Sequence, residues 1–251
     1  PLMFGALYVK GAPAARVLEG PVPMWKAFGP ASSGGGGYRK SYGLPHFADA
    51  TFTARFPFGL VQLRDASMPV EVEITGWSPF TPGNADDSSL PACALEYRFR
   101  NISAAPVEAV FSYHAANLMA TGKESGAHVQ QTAGGFLLQQ PPKVKPADEG
   151  AFAVFVPEAG AVSDCAWFRG GWFDALTILW KHIAAGDGVN QPPHSEGEPG
   201  NGGSVYLPFT LAPGEERTIP VLFAWYVPKS ELRSGADPEG ESCGCGCSCE
   251  K

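Results

Sequence analysis

Four thiols at every second position, Cys243-Gly-Cys-Gly-Cys-Ser-Cys249, form the densest chemical cluster in the chain. Thiolates are soft ligands suited to zinc, copper(I) or iron–sulfur sites, and the glycines and serine between them let the backbone wrap around a metal. The spacing departs from the paired C-x-x-C ligands of structural zinc sites, and disulfides within the run would close very small, strained loops. Three readings stay open: metal binding by Cys243, Cys245, Cys247 and Cys249, disulfides to another segment, or an exposed loop without a fixed role. Cys93 and Cys165 stand alone and read as buried small hydrophobes.

Asp86 and Asp87 are the nearest thing to a paired-carboxylate site. Glycosidases hold two carboxylates about 5–5.5 Å or about 6.5–9.5 Å apart to serve as acid, base or nucleophile. Sequence neighbours point in different directions, so capping and turn bonding is the better account of this pair. Trp167-Phe-Arg-Gly-Gly-Trp172 sets two indoles around Arg169, and an aromatic face can stack on the apolar plate of a sugar ring. Packing of an adjacent helix onto a sheet is the competing reading. His46, His114, His128, His182 and His194 have no ligand spacing among them. Gly34-Gly-Gly-Gly37 before Tyr38-Arg-Lys40 lacks the strand, the helix and the Lys-Ser/Thr of a phosphate loop. No Gly-x-Ser-x-Gly elbow exists, which sets aside serine hydrolases of the α/β type.

The elements that would position these residues are mostly strands. Val70 to Thr75 alternates strictly, and Leu95, Tyr97 and Phe99 alternate with Glu96, Arg98 and Arg100, the period of two of a half-buried strand. Val107 to Tyr113 continues the alternation after a turn at 101–106, so the two segments read as an antiparallel hairpin. Further strands are expected at 4–9, 15–18, 51–56, 59–63, 129–132, 135–139, 151–156, 205–211 and 217–227. One helix is expected at 174–185: Asp174 caps it, Leu176, Leu179, Trp180 and Ile183 recur at helical spacing, and Gly186 stops it. Between 76 and 91, Pro79, Pro82, Pro91, Gly83 and Asn84 spell an elaborate loop beside Trp77 and Phe80.

With 251 residues, 24 Pro, 31 Gly and 44% hydrophobic side chains, the chain describes many short strands joined by turns. The expected fold is mainly β, a large two-sheet antiparallel β-sandwich with one amphipathic helix. Residues 1–230 read as one domain, with a Gly/Pro-rich loop at 186–203, and 231–251 as a Cys-rich tail or linker. The net charge of −7 is spread out, and no Lys/Arg stripe appears, which argues against nucleic acid and anionic membrane surfaces. No apolar run approaches the roughly 18 residues of a transmembrane helix. The N-terminus, which begins at Pro1, leaves the compartment open, with a cytoplasmic location the first expectation for a soluble chain.

Several blocks together resemble a known family. Gly76-Trp-Ser-Pro-Phe-Thr-Pro, Asp86-Asp-Ser-Ser-Leu-Pro and Phe99-Arg-Asn101 resemble the N-terminal domain of glycoside hydrolase family 116, the bile-acid β-glucosidase or non-lysosomal glucosylceramidase family. Phe4-Gly-Ala-Leu-Tyr-Val-Lys10, Trp167 through Trp180, Leu211-Ala-Pro-Gly-Glu and Ala224-Trp-Tyr-Val-Pro228 extend the likeness over nearly the whole chain. The resemblance implies a sandwich that precedes an (α/α)6 barrel, and that barrel carries the Glu nucleophile and Asp acid/base of a retaining β-glucosidase. On this reading the chain is a fragment of a longer hydrolase, has no catalytic residue or cofactor of its own, and partners the barrel of the same polypeptide. It would meet a β-glucoside or glucosylceramide-like substrate only through that barrel. Trp77, Asp86, Asp87, Trp167, Arg169 and Trp172 are the candidates for a cleft rim. A free-standing carbohydrate-binding or structural sandwich, and a thiolate metal protein built on the Cys tail, are the alternatives.

Overall fold

The computed structural model describes residues 2–24, 41–120, 126–142, 146–170 and 175–229. In chain order the strands are β1 (Met3–Val9), β2 (Arg16–Val17), β3 (Asp49–Arg55), β4 (Phe58–Arg64), β5 (Val70–Trp77), β6 (Ala92–Asn101), β7 (Val107–Ala116), β8 (His128–Thr132), β9 (Gly135–Gln140), β10 (Gly150–Phe155), β11 (Val162–Asp164), β12 (Gly202–Leu211) and β13 (Glu216–Tyr226). A short helix α1 (Ala85–Ser88) and a longer α2 (Ala175–Ala185) interrupt them. The strands form two antiparallel sheets. One has five strands in the order β11-β12-β7-β1-β2, and the other has eight in the order β3-β4-β5-β6-β13-β10-β9-β8. Cys243, Cys245, Cys247, Cys249, Trp172 and Asp174, the cap expected from sequence, lie outside the described residues.

Alternation along the strands places one apolar set of each sheet between the layers. Tyr97 and Phe99 of β6 meet Phe111 of β7 at ring-centroid distances of 4.8 and 5.6 Å, and Tyr113 meets Phe223 at 5.3 Å. The outer face of the eight-stranded sheet is ionic. Arg98 bridges Glu73 (2.9 Å) and Glu216 (3.1 Å), and Arg100 pairs with Glu71. Such exposed pairs contribute at most about 1 kcal/mol each; their larger effect is to keep this face in water.

The hairpin expected from β6 and β7 does not form. β6 pairs with β5 and β13, whereas β7 pairs with β1 and β12, so the turn at 102–106 carries the chain from one sheet to the other. A period of two reports only which face is buried, and two strands facing each other across a core show it as well as two side by side. Asn101 makes the crossing: its Nδ2 donates to the carbonyls of Ala105 (2.8 Å), Leu211 (3.2 Å) and Ala212 (3.1 Å), and its Oδ1 accepts from the Ser103 N–H.

Short and long connections lie at opposite ends of the sandwich. At one end the connections are short: 10–15, 65–69, 102–106, 133–134, 156–161 and 212–215. The long connections 78–91, 117–127, 141–149 and 165–201 all leave from the opposite end, and β13 ends there too. Among the described residues no helix is long and apolar enough to cross a membrane.

Candidate functional site

The 165–201 connection builds a cleft on the outer face of the five-stranded sheet. α2 lays Leu179 and Ile183 against Phe4, Ala6 and Tyr206, so this sheet is buried on both faces. Burying each of those two side chains is worth about 1.5–3 kcal/mol. Gly186, at φ 72°, ends the helix in a Schellman motif: its N–H donates to Ile183 O, and the Asp187 N–H donates to His182 O. The chain then returns beside β11, with Gln191 N donating to Ser163 O and Cys165 N donating to Gln191 O. This pairing holds 189–194 opposite α2, and the gap between them is a cleft of about 420 Å³.

The cleft has apolar walls with a few polar groups converging on them. Ile178, Leu179 and Val189 supply the walls, and Asp164, Arg169, His182 and His194 supply the polar groups. Asp164 is 6% exposed, and its Oδ1 accepts from the Ala166 N–H at 2.9 Å. Burial raises its carboxyl above the usual carboxylate range, while the Ala166 N–H and the nearby His182 and His194 pull in the other direction. His182 Nδ1 lies 3.2 Å from the Asp187 carboxylate, and His194 Nε2 lies 3.2 Å from Trp167 O. Arg169 donates to the carbonyls of Glu196 and Glu198, so its guanidinium is held by the returning loop. Among the described residues no group of three or more His, Cys, Asp or Glu side chains is placed to hold a metal ion.

Beneath the cleft is a polar cluster that sequence spacing does not reveal. His114 is fully buried on β7, with Nδ1 2.8 Å from Ser204 Oγ and Nε2 2.9 Å from Ser112 Oγ. Trp167 Nε1 donates to the same Ser204 Oγ at 2.8 Å. Ser204 faces His114 across the β7–β12 ladder, and Ser112 is two residues before His114 on the same face, so register brings the three together. Either neutral tautomer satisfies both ring nitrogens. Burial pushes the His114 pKa down to about 3. The signal available in the sequence was Ser112-Tyr-His114, two polar outward positions inside an apolar strand.

The sequence candidates are thus split between two places. Trp167 and Arg169 belong to the cleft, but Trp167 is 5% exposed and its indole N–H is committed to Ser204, so its ring serves as a wall. Phe168, at 36% exposure, is the accessible aromatic beside it. Trp77, Asp86 and Asp87 stand on the other sheet, in the 78–91 connection and the strand that feeds it. Trp77 Nε1 donates to Glu96 Oε1 at 3.0 Å. Asp86 and Asp87 are exposed in the first turn of α1, where Asn84 caps the helix by accepting from the Asp87 N–H at 3.1 Å. Carboxylates there complement the exposed N–H groups. Asn84→Ala is expected to cost about 1 kcal/mol locally, read as faster amide exchange at Asp87 and Ser88 with the urea midpoint little changed. Cys165 faces the core with its thiol pushed by burial up to about 12, and burial also raises Cys93, so neither is a ready nucleophile.

No curated protein matches the chain. A solved structure, "Putative kojibiose phosphorylase from human microbiome", aligns with 67% of this chain and 18% of its own, at 7% identity and a TM-score of 0.35, too distant to carry an inference. The family model described as beta-glucosidase 2, glycosyl-hydrolase family 116 N-term, matches residues 6–241. The two-sheet antiparallel sandwich and this match over most of its length agree, and the chain belongs to glycosyl-hydrolase family 116 as its N-terminal domain.

Proposed function

We propose that this domain is non-catalytic, that it forms a single sandwich unit over residues 1–230, and that it supports a following (α/α)6 domain whose β-glucoside cleft it lines with its long-loop end. The observation that supports the reading is where apolar surface is left over. Eleven large hydrophobic side chains are exposed among the described residues, and seven of them, Phe56, Phe58, Phe80, Leu90, Trp225, Tyr226 and Val227, sit at the long-loop end of the eight-stranded sheet. Phe56 and Phe80 meet edge-on at 5.0 Å, and Trp225 N donates to Pro91 O at 3.0 Å, which sets the end of β13 beside the segment carrying Leu90. Exposed apolar patches of this kind mark interaction surfaces. β13 ends at Tyr226, among these exposed residues. Trp77 at the end of β5 and the 78–91 connection carrying Asp86 and Asp87 border these residues and are the part offered to the cleft.

Two measurements test the reading. The 251-residue chain is expected to show no turnover of an aryl β-glucoside; turnover that is lost on changing Asp86 or Asp87 would place catalysis in this domain and overturn it. In the polypeptide that carries the helical domain, Phe56→Asp together with Phe80→Asp is expected to lower the melting temperature of that domain and its kcat/KM at least tenfold. An unchanged enzyme would remove the patch as the docking surface.

A further inference from the structure

We infer that the cleft between α2 and the 189–194 segment is a binding site for a small, neutral, polyhydroxylated ligand of about hexose size, separate from the long-loop patch. A volume of about 420 Å³ accommodates one such ring with its hydroxyls. The lining has the composition of a ligand site, apolar walls with a few convergent polar groups. Ile178 and Leu179 come from one side and Phe168 from another, while Asp164, His182 and His194 face the same space.

The polar set decides the class of ligand. Asp164 is more than nine-tenths buried, and among the described residues its hydrogen bond from Ala166 engages Oδ1, which leaves Oδ2 without a donor. As a residue lining the cleft, Asp164 offers an acceptor oxygen there, and ligand hydroxyl groups supply donors to it without adding charge. A strong cation would meet the Arg169 guanidinium on the same wall, and a strong anion would meet Asp164. A neutral polyol avoids both penalties and uses the remaining imidazole and guanidinium groups as donors or acceptors. Phe168 gives the ring an apolar plate, the role that the buried Trp167 cannot play. His182 is positioned by Asp187 and His194 by the Trp167 carbonyl, so the site is pre-formed before a ligand arrives.

The inference rests on the lining of this cleft, so an active or inactive aryl-glucoside assay leaves it untouched. Its test is titration of the 251-residue chain with methyl β-D-glucoside, followed by amide and imidazole NMR shifts, with inorganic phosphate and methylammonium as charged probes. Saturable binding with a Kd of about 1–10 mM is expected, with shifts at Phe168, His182 and His194. Asp164→Asn is expected to weaken it at least tenfold, and Phe168→Ala, at an exposed position that does not carry the fold, about fivefold. Ile178→Trp, which fills the cleft from the helix side, is expected to abolish it. Lack of saturation by the glucoside, tighter binding of phosphate or methylammonium, or binding unaltered in Phe168→Ala and Ile178→Trp each overturns the assignment.

Discussion

His114→Ala is expected to lower the stability of the domain by about 3–5 kcal/mol and to remove a distinct pH dependence. The loss has two parts. A fully buried ring is deleted from between Phe4, 4.9 Å away, and Tyr206, 5.5 Å away, leaving a cavity. Ser112 also loses its ring partner in a place water does not reach, which costs about 1–3 kcal/mol, and Ser204 keeps only its bond from Trp167 Nε1. His114→Phe refills the cavity but restores no hydrogen bond, so it is expected to recover about half of the loss.

The pH dependence follows from the same burial. In the unfolded chain His114 titrates near 6.5, and in the folded chain burial holds it neutral down to about 3. Between these values the unfolded state binds more protons, so stability is complete above about pH 7 and falls as the pH drops, by about 2 kcal/mol at pH 5. Asp164 works in the opposite direction, since a raised carboxyl takes up its proton more readily in the folded state. The difference between the native chain and His114→Phe isolates the histidine, because Asp164 is common to both. Urea midpoints at pH 7.5 and 5 measure it; a native chain and a variant that lose stability in parallel on acidification would show that His114 is not the group responsible.

Gly202→Ala is expected to cost about 3 kcal/mol, although it adds one methyl group to a strand. A Cβ at this position would stand 2.4 Å from the backbone carbonyl of Ala115 and 2.6 Å from the Trp167 ring. A backbone oxygen in a paired strand has nowhere to go, so the strain passes to β12 or to the indole. Displacing Trp167 breaks its bond to Ser204 and loosens the cleft wall, so the urea midpoint should fall and the Trp167 indole N–H should exchange faster. The contrast is Gly83→Ala in the 78–91 connection. Gly83 has φ 77° but open space at its Cβ, so the substitution carries only the local backbone penalty of a left-handed residue, about 1 kcal/mol. Equal losses at the two positions would show that crowding at Gly202 is not the cause.

Much of this architecture was legible in the residues. Val70 to Thr75 carries strict alternation, and Arg217 to Val227 is a long run with Ile219, Val221, Phe223 and Trp225 at every second position; the structure places β5 and β13 there. Leu176, Leu179, Trp180 and Ile183, closed by Gly186, specify α2, because helical spacing and a left-handed stop are local properties that survive any tertiary context. The blocks from Gly76 to Asn101 carried the family resemblance, and the family model matches residues 6–241, which include them. Two elements escaped. β11 has three residues, too few for a period to register, and is held by β12 on one side and by a single bridge to Gln191 on the other. α1 is a single turn, made helical by Asn84 within a stretch whose composition reads equally as a turn.

Sheet membership and the site were decided by tertiary structure. Alternation told which side chains of β6 and β7 face inward, yet whether those strands lie side by side or across the core depends on partners more than 100 residues away, Leu211 and Ala212, held by Asn101. The polar cluster depends on the β7–β12 register that sets Ser204 opposite His114, and the cleft depends on the bridge that brings Gln191 beside Asp164. Residue type fixed what each side chain is able to do, since chemistry is local. Which of them share a few ångströms was fixed by long-range pairing, since hydrogen-bonded register is a property of two segments and is written in neither alone.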